Sequence, residues 1–244
     1  MEKLQKLQKI LSQANISSRR DAEKMILAGK IKVNGKIISK LGVKVSTSDI
    51  ILVDEQKIFL SPLVYFLLYK PKGYLTTVRD DRQRKTVLNL LKPQDLNNRV
   101  YPVGRLDFLT EGLLLLTNDG SLTHKLTHPT SLVPKEYHVK VNQNLSSRDL
   151  KFLKKGVLID NNYLAIPKLV SLLKPSYHKE KNLWLKIIIT EGKNRQIRKM
   201  ISALGLQVVK LIRYRYSFLT LEKMKIGEYR VLKQNEINQL KLLG

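Results

Sequence analysis

Leu4, Leu7 and Leu11, with Ile10 and Ala14 beside them, recur at helical spacing, and Asn15-Ile16-Ser17-Ser18 breaks the pattern. Ser18 with Asp21 three positions on resembles a capping box, in which a hydroxyl accepts from a free amide at a helix start. A second helix is therefore predicted from there to Gly29. Ile31, Val33 and Ile37 then flank Asn34-Gly35, a pair that tolerates the positive φ of a type I′ hairpin turn. Residues 59–64 read as a connector, weakest at Ser61-Pro62.

Beyond the connector, Tyr65-Phe66-Leu67-Leu68-Tyr69 is an apolar strand ending at Lys70-Pro71-Lys72-Gly73. Residues 86–91 read as a short helical or irregular segment, and 113–116 as a second apolar strand. Further strands are predicted over 137–141, where alternation puts Tyr137, Val139 and Val141 on one face, and over 183–190. Helices are predicted over 146–155 and 195–204; the latter has Asn194 as its cap, Ile197, Ile201 and Leu204 as its apolar stripe, and Gly205 as its stop. The pattern predicts an α+β protein. A small N-terminal α/β unit spans residues 1–60, a linker 61–64, and a larger domain 65–244, with a mixed, largely antiparallel sheet flanked by helices.

Charge narrows the class of partner. The 244 residues hold 45 Lys plus Arg against 20 Asp plus Glu, a formal charge of +25, which suits a polyanion and argues against a small-molecule enzyme. A membrane would also attract this charge, but no apolar run approaches the ~20 residues of a spanning helix, and no anchor or lipidation signal stands out. The chain opens into helix-like sequence without a signal-peptide core, so a cytoplasmic or organelle-matrix location is expected. No cysteine is present, which excludes disulfides and thiolate zinc. His124, His128, His138 and His178 lack metal-ligand spacing and read as surface or structural, so neither metal nor cofactor is expected.

The richest stretch is Gly104-Arg105-Leu106-Asp107-Phe108-Leu109-Thr110-Glu111-Gly112, running through residues 113–116 to Thr117-Asn118-Asp119-Gly120. A lone R-x-D would be a solvated ion pair in a turn. The whole string resembles the catalytic loop of pseudouridine synthases, in the branch that modifies single ribosomal RNA sites. Lys70-Pro71-Lys72-Gly73, Lys135-Glu136-Tyr137 and Glu191-Gly192-Lys193-Asn194-Arg195-Gln196-Ile197-Arg198-Lys199-Met200 resemble that family's other elements, in its order. At the N-terminus, Ser17-Ser18-Arg19-Arg20-Asp21-Ala22 and Gly29-Lys30-Ile31-Lys32-Val33-Asn34-Gly35 resemble an S4 RNA-binding domain.

The resemblance implies isomerisation of a uridine within RNA, without a cofactor, by a monomer. Asp107 would be the nucleophile or essential carboxylate. Arg105 would open the base out of its stack, at a cost of a few kcal/mol. Tyr137, on pattern alone a core tyrosine, would stack on the uracil and take part in the final proton removal. Arg198, on pattern alone one basic position of an exposed helix, would be the cation paired with Asp107, because burial disfavours a carboxylate unless a positive charge opposes it. Leu106 and Ile197 would wall the pocket, and Lys193 and Arg195 would contact RNA. Arg19, Arg20, Lys24, Lys30 and Lys32, on charge alone a solvated face, would hold phosphates.

The closing stretch, Arg213-Tyr214-Arg215-Tyr216-Ser217-Phe218-Leu219-Thr220-Leu221 through Lys225-Ile226-Gly227-Glu228-Tyr229-Arg230, is more similar to the 23S-modifying subgroup than to the 16S one, making large-subunit ribosomal RNA or its assembly precursor the expected partner. A 16S enzyme, a noncatalytic S4-containing ribosome-assembly factor and an S4-containing ribosomal structural protein remain as alternatives. The chain departs from the family at Phe108-Leu109 and at Lys193, where Arg is usual; Lys would weaken a bidentate phosphate contact.

Overall fold

A computed structural model describes residues 4–160, 162–173 and 183–243. His178 lies outside the described residues. The chain divides into two compact units, one reaching Val64 and including Asn97–Arg99, the other formed by Tyr65–Leu96 and the chain from Val100 on.

The first unit packs two helices, Leu7–Gln13 and Arg19–Leu27, on a four-stranded sheet. Ser18 caps the second helix: the Asp21 amide donates to its hydroxyl oxygen at 3.1 Å, and the hydroxyl donates to the Asp21 carboxylate at 2.7 Å. Asn34 (φ 48°) and Gly35 (φ 80°) form the left-handed turn between Ile31–Val33 and Lys36–Ile38. Leu7, Leu11, Ala22, Ile26 and Ile31 close the core with essentially no exposure. Leu4 stays outside the helix and is exposed. Arg99 fastens its segment to this unit by donating to the carbonyls of Asn15 and Ile16.

The second unit is built on a nine-stranded sheet. Along its main path Leu169–Leu172, Trp184–Ile189, Lys135–Val141, Val208–Tyr216, Glu111–Thr117, Tyr65–Lys70 and Tyr229–Val231 lie side by side. Every pairing in the sheet is antiparallel except Val208–Tyr216 against Glu111–Thr117, where Ile212 faces Glu111 and Arg213 faces Gly112. All seven residues of Glu111–Thr117 are buried, because this central strand is covered on both faces. Gly112 (φ +125°) is needed there: a Cβ would stand 2.4 Å from the backbone N and O of Arg213.

Two expectations change. The helix predicted from residue 195 runs over Gln196–Ser202, and Asn194 does not cap it. The cap position is Arg195, left-handed at φ 52°, without a side-chain capping bond. Gln196 supplies the local closure instead, its side-chain oxygen accepting from the Lys193 amide while its own amide donates to the Lys193 carbonyl. In Lys135–Val141 alternation is also incomplete: Glu136 and His138, opposite Tyr137 and Val139, are 4 % exposed. That buried polar side is satisfied by a His138–Glu136 contact of 3.1 Å, by Arg215 3.3 Å from Glu136, and by stacking of His138 on Tyr214.

Candidate active site

The loop between Gly104 and Thr110 delivers its residues to the central parallel junction, where Glu111 enters the sheet. Its backbone is held from several directions. Thr76 donates to the Leu106 carbonyl at 2.7 Å, the Gly73 amide to the Phe108 carbonyl at 2.8 Å, and the Thr110 amide to the Asp107 carbonyl at 3.0 Å. Lys70, at the end of its strand and wholly buried, donates to the carbonyls of Pro71 (2.9 Å), Asp107 (3.3 Å) and Thr110 (2.9 Å). Burial draws its pKa from 10.5 down to about 8, against the attraction of Asp107 and Glu111.

Beside the loop opens a pocket of 460 Å³, lined by Arg105, Leu106, Asp107, Lys135, Tyr137, Glu191, Lys193, Arg195, Ile197, Arg213 and Tyr216 among others. Exposure sorts this lining. Arg105, Lys193 and Arg195 are exposed and form a basic rim, whereas Leu106, Tyr137, Ile197, Leu211 and Tyr216 are buried wall. The volume falls within the roughly 300–1,000 Å³ of small-molecule pockets.

Two lining carboxylates differ in availability. Glu191 accepts from the Tyr163 hydroxyl and from the Gln196 side-chain amide. Among the described residues, no hydrogen bond or ion pair within 4 Å engages the Asp107 side chain. Arg198 does not close on it: the guanidinium donates to the Leu109 carbonyl at 3.2 Å and reaches Asp107 through its longer-range field. Burial lowers the Arg198 pKa, Arg195 adds to that, and Asp107 opposes it. Arg198 is half-buried, not lying on an exposed face.

The structure thus brings Arg105, Leu106, Asp107, Tyr137, Lys193, Arg195 and Ile197 to one pocket, with Arg198 behind the loop. Lys135 and Arg213 also line the pocket, and Lys70 holds the loop by its carbonyls; sequence reasoning singles out none of the three. Each sits inside a quoted motif, but the bonds they make span long stretches of chain. In the first unit Arg19, Arg20, Lys24 and Lys30 are exposed, Lys24 facing Asp21 at 3.5 Å, while Lys32 is half-buried and held by Glu55 at 2.6 Å.

The RNA pseudouridylate synthase family matches residues 64–203, and the S4 domain matches residues 5–51. The chain belongs to the RNA pseudouridylate synthase family. This synthase is 41% identical over 241 residues to ribosomal large subunit pseudouridine synthase B of Bacillus subtilis (strain 168), covering 99% of this chain and 97% of that one. The protein of the same name from Buchnera aphidicola subsp. Schizaphis graminum is 41% identical over 236 residues, covering 93% and 90%. An RNA pseudouridine synthase of Aquifex aeolicus (strain VF5) is 38% identical over 237 residues, covering 96% and 93%. A crystal structure of a pseudouridylate synthase superposes with a TM-score of 0.68 at 28% identity, covering 96% of this chain and 99% of that one. The chain is therefore an enzyme, an RNA pseudouridine synthase with an S4 domain. Among the described residues, no helix is long and apolar enough to cross a membrane.

Proposed function

We propose that this synthase converts a single uridine of large-subunit ribosomal RNA to pseudouridine, with Asp107 as the essential carboxylate. The observation that carries the substrate is the 41% identity to the Bacillus subtilis large-subunit enzyme over 99% of the chain. What supports Asp107 is its unengaged carboxylate on a tightly held loop, in a pocket whose other lining carboxylate is occupied.

In this reading the S4 domain grips phosphates through Arg19, Arg20, Lys24 and Lys30, with Lys32 committed to Glu55; such contacts orient RNA more than they select sequence. Arg105, Lys193 and Arg195 at the rim take the backbone near the target, and Arg105 occupies the space the base vacates. The uracil enters between Leu106, Ile197 and the Tyr137 ring, where stacking is worth about 1–3 kcal/mol. The N1–C1′ bond breaks with its electron pair leaving on the base, while Asp107 attacks C1′ or promotes a glycal. The base turns and C5 bonds to C1′, displacing the Asp107 carboxylate from the ester or, from a glycal, adding as C2′ regains its proton; the C5 proton then leaves with the help of Tyr137 as N1 gains one. Arg198 keeps the loop and the field around Asp107 favourable to the anion.

The test is to incubate the protein with unmodified large- and small-subunit ribosomal RNA and map pseudouridine by carbodiimide-dependent primer extension. A single large-subunit position is expected, absent with Asp107→Asn although RNA affinity stays within a few-fold. A small-subunit position would overturn the substrate assignment, and an active Asp107→Asn would overturn the mechanism.

A further inference from the structure

Arg213 is a cation in the pocket wall with no carboxylate to match it among the described residues. It lines the pocket at 3 % exposure, in contrast to the exposed Arg105, Lys193 and Arg195 at the rim. Its Nε donates to the Leu113 carbonyl at 2.8 Å, and its guanidinium lies 5.4 Å from the Tyr216 ring centroid. Nη2 is sealed from solvent without an acceptor, and among the described residues no carboxylate oxygen lies within 4 Å. Burying an unpaired guanidinium is costly, because it cannot shed its proton. A neutral donor would serve the Leu113 carbonyl equally well, so that bond does not account for the charge.

The neighbours sharpen the anomaly. Lys70 and Lys135 are both drawn down to about 8, mainly by burial, and the Arg213 charge adds to the depression at each. Lys135 already spends two donors on the carbonyls of Val133 and Thr190. A wall so arranged favours a visitor that carries or develops negative charge. Phosphates stay on the RNA backbone and meet the rim; what reaches a wall residue is the base.

We propose that Arg213 contacts the flipped uracil and stabilises the negative charge that forms on it when the N1–C1′ bond breaks. The bonding pair leaves with N1 and spreads onto O2 and O4, and a guanidinium N–H donates to one of these oxygens. The charge disappears once C5 has bonded to C1′, the C5 proton has left and N1 has been protonated. Arg213 therefore binds the detached base more strongly than the intact nucleotide, which is what accelerates a step. The proposal rests on the pocket assignment of the preceding subsection.

A leaving-group comparison tests it. Single-turnover cleavage would be measured on the mapped target RNA carrying uridine or 5-fluorouridine, whose fluorine withdraws electrons and makes uracil a better anion. Arg213→Gln should slow uridine by about 100-fold, the effect of one oxyanion donor, and slow fluorouridine by less than about 10-fold, with the RNA Kd changed by less than a few-fold. Equal losses on the two substrates would overturn the proposal, because they would mean that Arg213 acts through the fold or through Asp107. Should Arg213→Gln not fold, Arg213→Lys keeps the charge with fewer donors and should raise the fluorouridine-to-uridine rate ratio by a smaller factor; an unchanged ratio overturns the proposal. Asp107→Asn is the separate control: activity in that variant sinks the pocket assignment whatever Arg213 does.

Discussion

Lys70→Met separates what holds the pocket in shape from what holds the molecule together. The Lys70 ammonium, wholly buried, joins three carbonyls, and two of them, Asp107 and Thr110, belong to the loop that carries the proposed nucleophile. Burial lowers its pKa from 10.5 to about 8. At about 1.4 kcal/mol per unit, the charge is held there at a cost of about 3 kcal/mol. Methionine removes that cost and keeps most of the stem's packing. It also forfeits three charge-assisted hydrogen bonds, each worth about 1.5–3 kcal/mol. The net loss is about 1.5–6 kcal/mol, against a total of about 5–15 kcal/mol typical of a domain. The rate should suffer more: a displacement of Asp107 by about 1 Å is worth about 100-fold. Near-UV circular dichroism against temperature gives the folded fraction, and tritium release from RNA containing 5-tritiated uridine gives the rate, under single turnover at saturating enzyme. The expected result is a folded variant slower by about 100-fold with RNA affinity retained. Wild-type turnover by folded Lys70→Met, or a loss explained by its unfolded fraction, would refute the argument.

Lys70 and Lys135 both have folded pKa values lowered from 10.5 to about 8, so between those values the unfolded chain binds more protons and stability rises with pH; chemical denaturation of wild type, Lys70→Met and Lys135→Met should show a shallower rise in each variant. Gly112→Ala would drive a Cβ to 2.4 Å from the Arg213 backbone at φ +125°, and should cost about 3 kcal/mol or more in urea titrations, or leave no folded protein. Arg198→Ala should lower the single-turnover rate at saturating enzyme, with part of it regained by Arg198→Lys, whereas Arg195→Ala at the exposed rim should chiefly weaken RNA binding; the reverse outcome would mean the two roles are exchanged. Alanine at Arg19, Arg20 and Lys30 together should flatten the salt dependence of RNA affinity by about 0.7–0.9 for each phosphate no longer neutralised, and an unchanged slope would remove the S4 domain from the interface.

What the chain states locally, it states clearly. The Ser18 cap, the Asn34-Gly35 turn and the Gly104–Gly112 string each concern residues a few positions apart, so their chemistry is legible without a fold. The family motifs likewise single out Asp107, Tyr137 and the rim arginines as candidates, although the sequence cannot say which lining carboxylate is left unengaged. Asn194 has the type of a helix cap, but the left-handed Arg195 and the Gln196 side chain close that turn. Alternation in Lys135–Val141 hid Glu136 and His138, because a strand covered on both faces no longer sorts polar from apolar. Only tertiary structure brought Lys70 to the Thr110 carbonyl, Arg198 to Leu109, and Arg213 beside Gly112 across the one parallel pairing among the described strands. The reason is physical. Such contacts depend on the register of a whole sheet, set by the sum of many weak pairings, and no local string of residues carries that sum.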